Sequence, residues 1–296
     1  MRIVSLLPST TEILYALGAG RDVVGVTFEC DYPAQARQAR IVSTSSLPEG
    51  LAPAEIDALV TARVSAGEDL YHLDKGALSD LAADVVVTQD LCAVCAVDVS
   101  VVDDALAYLG STAHVVTTDP HTLEEVLDSI VQLGAVSGRE AAAQALVANC
   151  QARLDAVAAK VADRPRPRML VLEWTDPPFT PGHWVPDMVA AASGRAVLGR
   201  AGERSVRTSW AAVAGAQPAV VVAAPCGYAL PGAVALAEVL VRSSVLPAGV
   251  PVWAVDANAS FARPGPRLVD GVEALAALLH PDAGLPLDPQ LAKRVA

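Results

Sequence analysis

The chain has 296 residues, 53% hydrophobic and 18% charged, with a formal net charge of −12. This length exceeds that of one ordinary compact domain, and the apolar content is too high for a disordered polymer. An acidic balance without any Lys/Arg run argues against a nucleic-acid partner, and no segment approaches the ~20 uninterrupted apolar residues of a membrane helix.

In chain order, residues 2–7 read as a first strand. Ser9-Thr10-Thr11-Glu12 has the form of a capping box, and Ile13, Leu14 and Leu17 recur at helical spacing up to Gly18 and Gly20. Val23 to Val26 reads as a second strand, with Glu29-Cys30-Asp31-Tyr32-Pro33 looping from its end. Asp84 to Thr88 is a strand with Gln89-Asp90-Leu91-Cys92 at its exit, residues 99–109 are helical, and His114 to Val116 is another strand. Helices are expected over Thr122 to Gly134 and over Arg139 to Ala162, where Leu146, Cys150, Leu154, Val157 and Val161 repeat every three to four residues. The longer one spans roughly 36 Å at 1.5 Å per residue. The pattern then restarts. Met169 to Leu172 is a strand with Glu173-Trp174 at its exit, Pro186 to Ala192 a short helix, and Ser209 the cap of another. The strands Ala219 to Ala223 and Val252 to Val255 lead into Pro225-Cys226-Gly227-Tyr228 and Asp256-Ala257-Asn258. Pro266 to Leu279 is the last helix, and the tail beyond Pro281 reads as peripheral. This alternation predicts mostly parallel sheets flanked by helices. The similar plan of the halves predicts two α/β lobes, 1–120 and 166–296, joined by helical residues 121–165.

Ligands of open α/β sheets bind beyond the carboxyl ends of the strands. The first half places Glu29, Cys30, Asp31, Tyr32, Asp90, Cys92 and Cys95 there, and the second places Glu173, Trp174, Phe179, His183, Trp184, Cys226, Tyr228, Asp256 and Phe261. Gathered together, Cys30, Cys92, Cys95 and Cys226 would suit zinc or iron, and Cys92-x-x-Cys95 also has the form of a dithiol pair. The bland reading of the same thiols is small apolar core filling, which is the reading for Cys150. Trp174, Phe179, Trp184, Tyr32 and Tyr228 could wall a large planar ligand. His183 could be a ligand or a base. Glu29 and Glu173, following strands in matching places of the two halves, could form an acid/base pair or merely cap loops. His114 and His121 read as structural and His280 as a surface residue.

Arg2-Ile3-Val4-Ser5-Leu6, Pro8-Ser9-Thr10-Thr11-Glu12, Gly25-Val26 and Asp31-Tyr32-Pro33 together resemble the start of the periplasmic cobalamin-binding proteins. These are helical-backbone (class III) solute-binding proteins of ABC importers. Pro177-Pro178-Phe179-Thr180 with Gly182, the unit Ser209 to Val222, Phe261, and Arg263-Pro264 to Leu268 resemble later parts of the same family, so the likeness runs through nearly the whole chain. The resemblance implies two Rossmann-like lobes, a long rigid connecting helix, little closure, and a cobalamin-like corrinoid or other metal chelate in the cleft between lobes. Family members dock on their permease through one glutamate per lobe. The corresponding counts fall on Gly76 and Ala211 here, and the chain opens directly on its first strand. The expectation is therefore a cytoplasmic ligand-binding protein that docks on no ABC permease. Two alternatives stay open: an intracellular thiol- or metal-dependent enzyme using Cys92, Cys95, His183 and Glu173, and a carrier of a metal or corrinoid.

Overall fold

A computed structural model describes residues 1–89, 99–109 and 111–296; Asp90, Cys92 and Cys95 lie outside the described residues. The chain divides into two compact units. Unit 1 comprises Met1–Asp119 with Asp128–Val147, and unit 2 comprises Pro120–Leu127 with Ala148–Ala296.

Unit 1 is built from β1 (Ile3–Ser5), α1 (Pro8–Ala16), β2 (Val23–Thr27), β3 (Arg40–Ser45), α2 (Pro53–Ala66), β4 (Tyr71–Leu73), α3 (Lys75–Ser79), β5 (Val85–Thr88), α4 (Val99–Leu109) and β6 (His114–Thr117). Its sheet runs β4-β3-β2-β1-β5-β6, parallel except for β4 at the edge. Fully buried Val4 and Val86 pack with Val42, Leu78, Val102 and Ala105 into one core. Helices α5 (Leu123–Ser137) and α6 (Glu140–Val161) follow, and the boundary between the units falls within each.

The expected Ser9 capping box does not form. The helix starts two residues earlier, with extended Leu7 as its cap position and Pro8 in its first turn, where the missing proline N–H costs nothing and the ring presets φ. The hydroxyls turn inward instead. Thr10 Oγ1 lies 2.6 Å from Ser5 Oγ, and Thr11 Oγ1 donates to Ser5 Oγ at 2.8 Å.

Unit 2 contains β7 (Arg168–Leu172), the short pair β8 (Trp174–Thr175) and β9 (Pro178–Phe179), α7 (Val185–Ala191) and β10 (Arg195–Ala196). It continues with α8 (Trp210–Gly215), β11 (Val220–Ala223), α9 (Leu230–Ser243), β12 (Val252–Val255), α10 (Ala257–Ser260), α11 (Leu268–Leu279) and β13 (Ala292–Arg294). The main sheet runs β10-β7-β11-β12-β13. The tail is not peripheral: β13 pairs antiparallel with β12, and Ala292 is buried. His280 is not a surface residue either. It is 4% exposed, with Nε2 3.2 Å from the Ala192 carbonyl oxygen. The later part of α6 is fixed to α11 by Arg153, whose Nε donates to Glu273 Oε1 at 2.9 Å while Nη2 bonds Glu273 and Asp270.

Candidate ligand-binding site

The strand order of unit 2 reverses between β7 and β11, and the crevice beyond such a switch point is the default ligand position of an open α/β sheet. Leu172 and Ala223 end these two strands, so the switch point carries Glu173-Trp174 on one side and Pro225 to Tyr228 on the other. The two exits are stitched together, since the Cys226 N–H donates to the Glu173 carbonyl at 3.1 Å. The ring centroids of Trp174 and Tyr228 lie 5.8 Å apart at 59°, and both side chains are half-buried. Trp174 Nε1 donates to the Asp176 carbonyl at 3.1 Å, which fixes the indole, and Phe179 stands opposite Trp174 across the β8–β9 pair.

Behind this face, residues 180–184 make a tightly held turn. Glu173 Oε1 accepts the Gly182 N–H at 2.7 Å. The His183 N–H donates to the Glu203 carbonyl at 2.6 Å, and the Gly202 N–H donates to the His183 carbonyl at 3.0 Å. These bonds hold His183 at φ +48, a left-handed conformation that costs a non-glycine residue free energy. Residue 182 must be glycine here, because a Cβ would lie 2.1 Å from Ser205 N. Burial pushes the Glu173 carboxyl up to about 7, opposed by its bonds to Gly182 and Ser205. Burial also lowers the His183 pKa, helped by the nearby His121 and Arg204. The His183 and His121 rings are 6.0 Å apart, and His183 Nε2 is buried with no hydrogen-bond partner among the described residues. His121 is the member of this group that pattern reading missed. It is 62 residues away in sequence, and its only signal is its place just before α5.

Several expected wall residues sit elsewhere. Trp184 is 6% exposed and donates Nε1 to the Phe261 carbonyl at 2.7 Å, and Phe261 is itself 2% exposed. Both are core of unit 2, because indole and phenyl area is more stable inside when the one polar N–H finds a partner. Asp256 is a helix cap: Oδ1 accepts the Ala259 N–H at 2.8 Å and Oδ2 the Leu230 N–H at 3.2 Å.

In unit 1 the candidates cluster after β2. Tyr32 and Phe28 are exposed, Phe28 lies 6.4 Å from the Tyr71 ring, and the Tyr71 hydroxyl donates to Glu29 Oε2 at 3.5 Å. Phe28, just after β2, and Tyr71, the first residue of β4, were not singled out by the sequence pattern. Asp31 is paired with Arg37 at 3.8 Å. Glu29 and Glu173 do not occupy matching places: Glu173 leaves the switch-point strand β7, whose counterpart in unit 1 is β1, whereas Glu29 leaves β2, one strand further out. Cys30 is buried against Thr11 Oγ1 at 3.1 Å, Cys150 is buried and Cys226 is exposed. Among the described residues, no three His, Cys, Asp or Glu side chains are grouped to hold a metal ion.

A family model described as periplasmic binding protein matches residues 3–242. An uncharacterized ABC transporter substrate-binding lipoprotein of Bacillus subtilis (strain 168), YvrC, is 26% identical over 293 residues, covering 95% of this chain and 80% of the relative. A periplasmic heme-binding protein from Pseudomonas aeruginosa superposes with a TM-score of 0.73 at 22% identity, covering 100% of this chain and 98% of that one. The periplasmic vitamin B12 binding protein BtuF of Vibrio cholerae superposes with a TM-score of 0.66 at 23% identity, covering 94% and 96%. Two α/β units in one chain, with these strand orders, are the two-lobed fold that the resemblance implied. With the family model spanning most of its length, the chain belongs to the periplasmic binding protein family.

Proposed function

We propose that the protein reversibly binds a large planar metal chelate, a corrinoid such as cobalamin or a related tetrapyrrole, with Trp174 and Tyr228 as its main contact in unit 2. The observation that carries this reading is the half-buried, hydrogen-bond-fixed ring pair at the switch point. A flat apolar ligand gains contact area on such a surface at little side-chain entropy cost. The vitamin B12 binder and the heme binder that share the fold support the ligand class.

The test is to titrate the purified protein with cyanocobalamin and, separately, with haemin, following absorbance and tryptophan fluorescence. Trp174→Ala should weaken binding by ~1–3 kcal/mol. Unchanged affinity in both Trp174→Ala and Tyr228→Ala moves the ligand off this face, and no binding of either chelate ends the reading.

We further propose that no permease contact runs through carboxylates at the two counted positions. Gly76 on α3 and Ala211 on α8 are exposed but carry no charge. The ABC transporter lipoprotein relative supports the rival reading, a permease reached through other groups. A detergent pull-down with a cognate permease separates the two: a complex abolished by charge reversal of Asp74 or Asp80 favours the rival.

A further inference from the structure

We propose that Arg207 gives the ligand face an anion-binding end, so that among planar ligands the site selects those with a carboxylate at the edge of the ring. For the ligand class, this rests on the reading given above.

The register of three short segments places the residues. Trp174 on β8 is opposite Phe179 on β9, and Phe179 is opposite Arg207 in an antiparallel bridge along its other edge. Residues directly opposite in an antiparallel sheet project from the same face, so the three side chains form one row. The Thr180 N–H donates to the Val206 carbonyl at 2.9 Å, and the Thr208 N–H donates to the Pro178 carbonyl at 2.8 Å. These two bonds flank the Phe179–Arg207 pair, which is the arrangement that brings opposite side chains closest. Burial shows which face the row occupies. Thr175, Pro178 and Thr180, which alternate with the row, are buried, whereas Trp174 and Phe179 are half-buried and Arg207 is exposed. Two strand spacings, about 10 Å, separate Trp174 from Arg207. Tyr228 packs on Trp174, so the face is an aromatic row that ends in a guanidinium.

The chemistry of that end fits an acid. A guanidinium can lie along an aromatic ring and still offer its N–H fork to a carboxylate. The segment that supplies it is locally basic: residues 200–207 hold Arg200, Arg204 and Arg207 against Glu203 alone, and Glu203 is paired with Arg200 at 3.6 Å. In a chain of net charge −12, this edge therefore attracts an anion that most of the surface repels. The segment is also held in place, since Ser205 Oγ donates to the Thr180 carbonyl at 2.7 Å and the Val206 N–H donates to Thr180 Oγ1 at 3.2 Å. The backbone that carries the cation is thus set at a fixed distance from the rings. A ring with neutral edge groups gains nothing from Arg207, whereas one with an acidic edge gains a charge-assisted hydrogen bond while its body stays on Trp174 and Phe179.

The test compares ligands that differ only in the acid. Haemin carries ring-edge carboxylates and its dimethyl ester carries none, and pyrenebutyrate and pyrenebutanol make the same comparison without a metal. Dissociation constants are read from tryptophan quenching at one ionic strength. In the parent each acid should bind about 5- to 10-fold tighter than its neutral partner, and Arg207→Gln should remove that difference while leaving the neutral ligands within about twofold. Arg207→Lys keeps the charge without the planar fork and should restore part of the preference. Equal losses for acid and neutral partner would mean that Arg207 acts by packing, and an unchanged preference in Arg207→Gln would place the acid elsewhere; either result overturns the proposal. If haemin and its ester both fail to bind, the ligand reading falls and the pyrene pair decides alone. No preference for pyrenebutyrate in the parent, or no binding of either pyrene, then overturns the role of Arg207.

Discussion

The two units carry their aromatic groups in opposite ways. In unit 2, Trp174 at the switch point is held on the Asp176 carbonyl and packs on Tyr228, and Trp184 in the core is held on the Phe261 carbonyl. In unit 1, Phe28 is 38% and Tyr32 48% exposed, and among the described residues Phe28 has a ring contact with Tyr71. A preorganised surface loses little side-chain entropy on binding, whereas exposed rings must be ordered by the ligand itself. The fixed rings of unit 2 should therefore lose little side-chain freedom when a ligand settles on them.

The sharpest way to break this contrast is to disrupt the turn that preorganises unit 2. Gly182→Ala drives a Cβ into the backbone at Arg204 and Ser205, which cannot move aside as a flexible side chain could. A loss of about 3 kcal/mol in urea denaturation is expected, together with weakened chelate binding. A stable variant with parental affinity would show that the turn is not what holds the face.

A second test uses the buried acid. The native state holds the Glu173 proton up to about 7, while an unfolded glutamate releases it near its ordinary value of 4.5. Between those values the native state binds more protons, so the contribution of this group to stability falls as pH rises through the window and levels off above it. Glu173→Gln should therefore be more stable than the parent at pH 8, by about 2 kcal/mol, with the gap closing toward pH 5. Equal stability at both pH values would mean that the carboxyl is better solvated than its surroundings indicate. In unit 1, Phe28→Ala should change folding stability by no more than about 0.5 kcal/mol, because the ring is exposed. A larger loss in urea denaturation would make Phe28 a packing residue.

How much of this was legible in the sequence depends on what kind of signal carries each element. The strands β1, β2, β5, β7, β11 and β12 announce themselves as short apolar runs, and α6 by its long periodicity. Helix α2 is a weaker signal: Ile56, Leu59, Val60 and Val64 recur at helical spacing, but polar and alanine residues dilute the stripe and none of its residues is buried. Helix α9 begins Leu230-Pro231-Gly232, which reads as a loop until Pro231 is recognised as a favourable first-turn residue. Strand β13 is invisible because its alternation lasts three residues. For the candidate site, pattern reading put Glu173-Trp174 and Tyr228 at strand exits, and the structure has them just beyond β7 and β11. The same reading could not separate Trp174, half-buried at the switch point, from Trp184, which turns into the core, since that choice depends on whether the indole N–H meets a carbonyl from a strand exit or from a distant loop. Nor could it see His121 or Phe28, whose partners are brought by the fold and not by spacing.

The smallest expected effect concerns His183 and has the opposite sign to Glu173. His183 Nε2 is buried without a partner among the described residues, the His121 ring is 6.0 Å away, and burial, His121 and Arg204 together lower its pKa. The native state therefore resists the proton that an unfolded histidine accepts near 6.5. Its contribution is fully present above that value and is lost as pH falls below it toward the lowered native pKa, because the unfolded chain then binds more protons. His183→Asn tests the point without disturbing the backbone, because asparagine tolerates the positive φ that this position demands. Relative to the variant, the parent should lose less than about 1 kcal/mol of stability between pH 7 and pH 5. Urea denaturation curves that keep a constant separation over that range would mean that His183 takes up its proton freely. In that case the turn around residue 183 opens to water more readily than its three backbone hydrogen bonds suggest, and the contrast drawn between the two lobes would weaken with it.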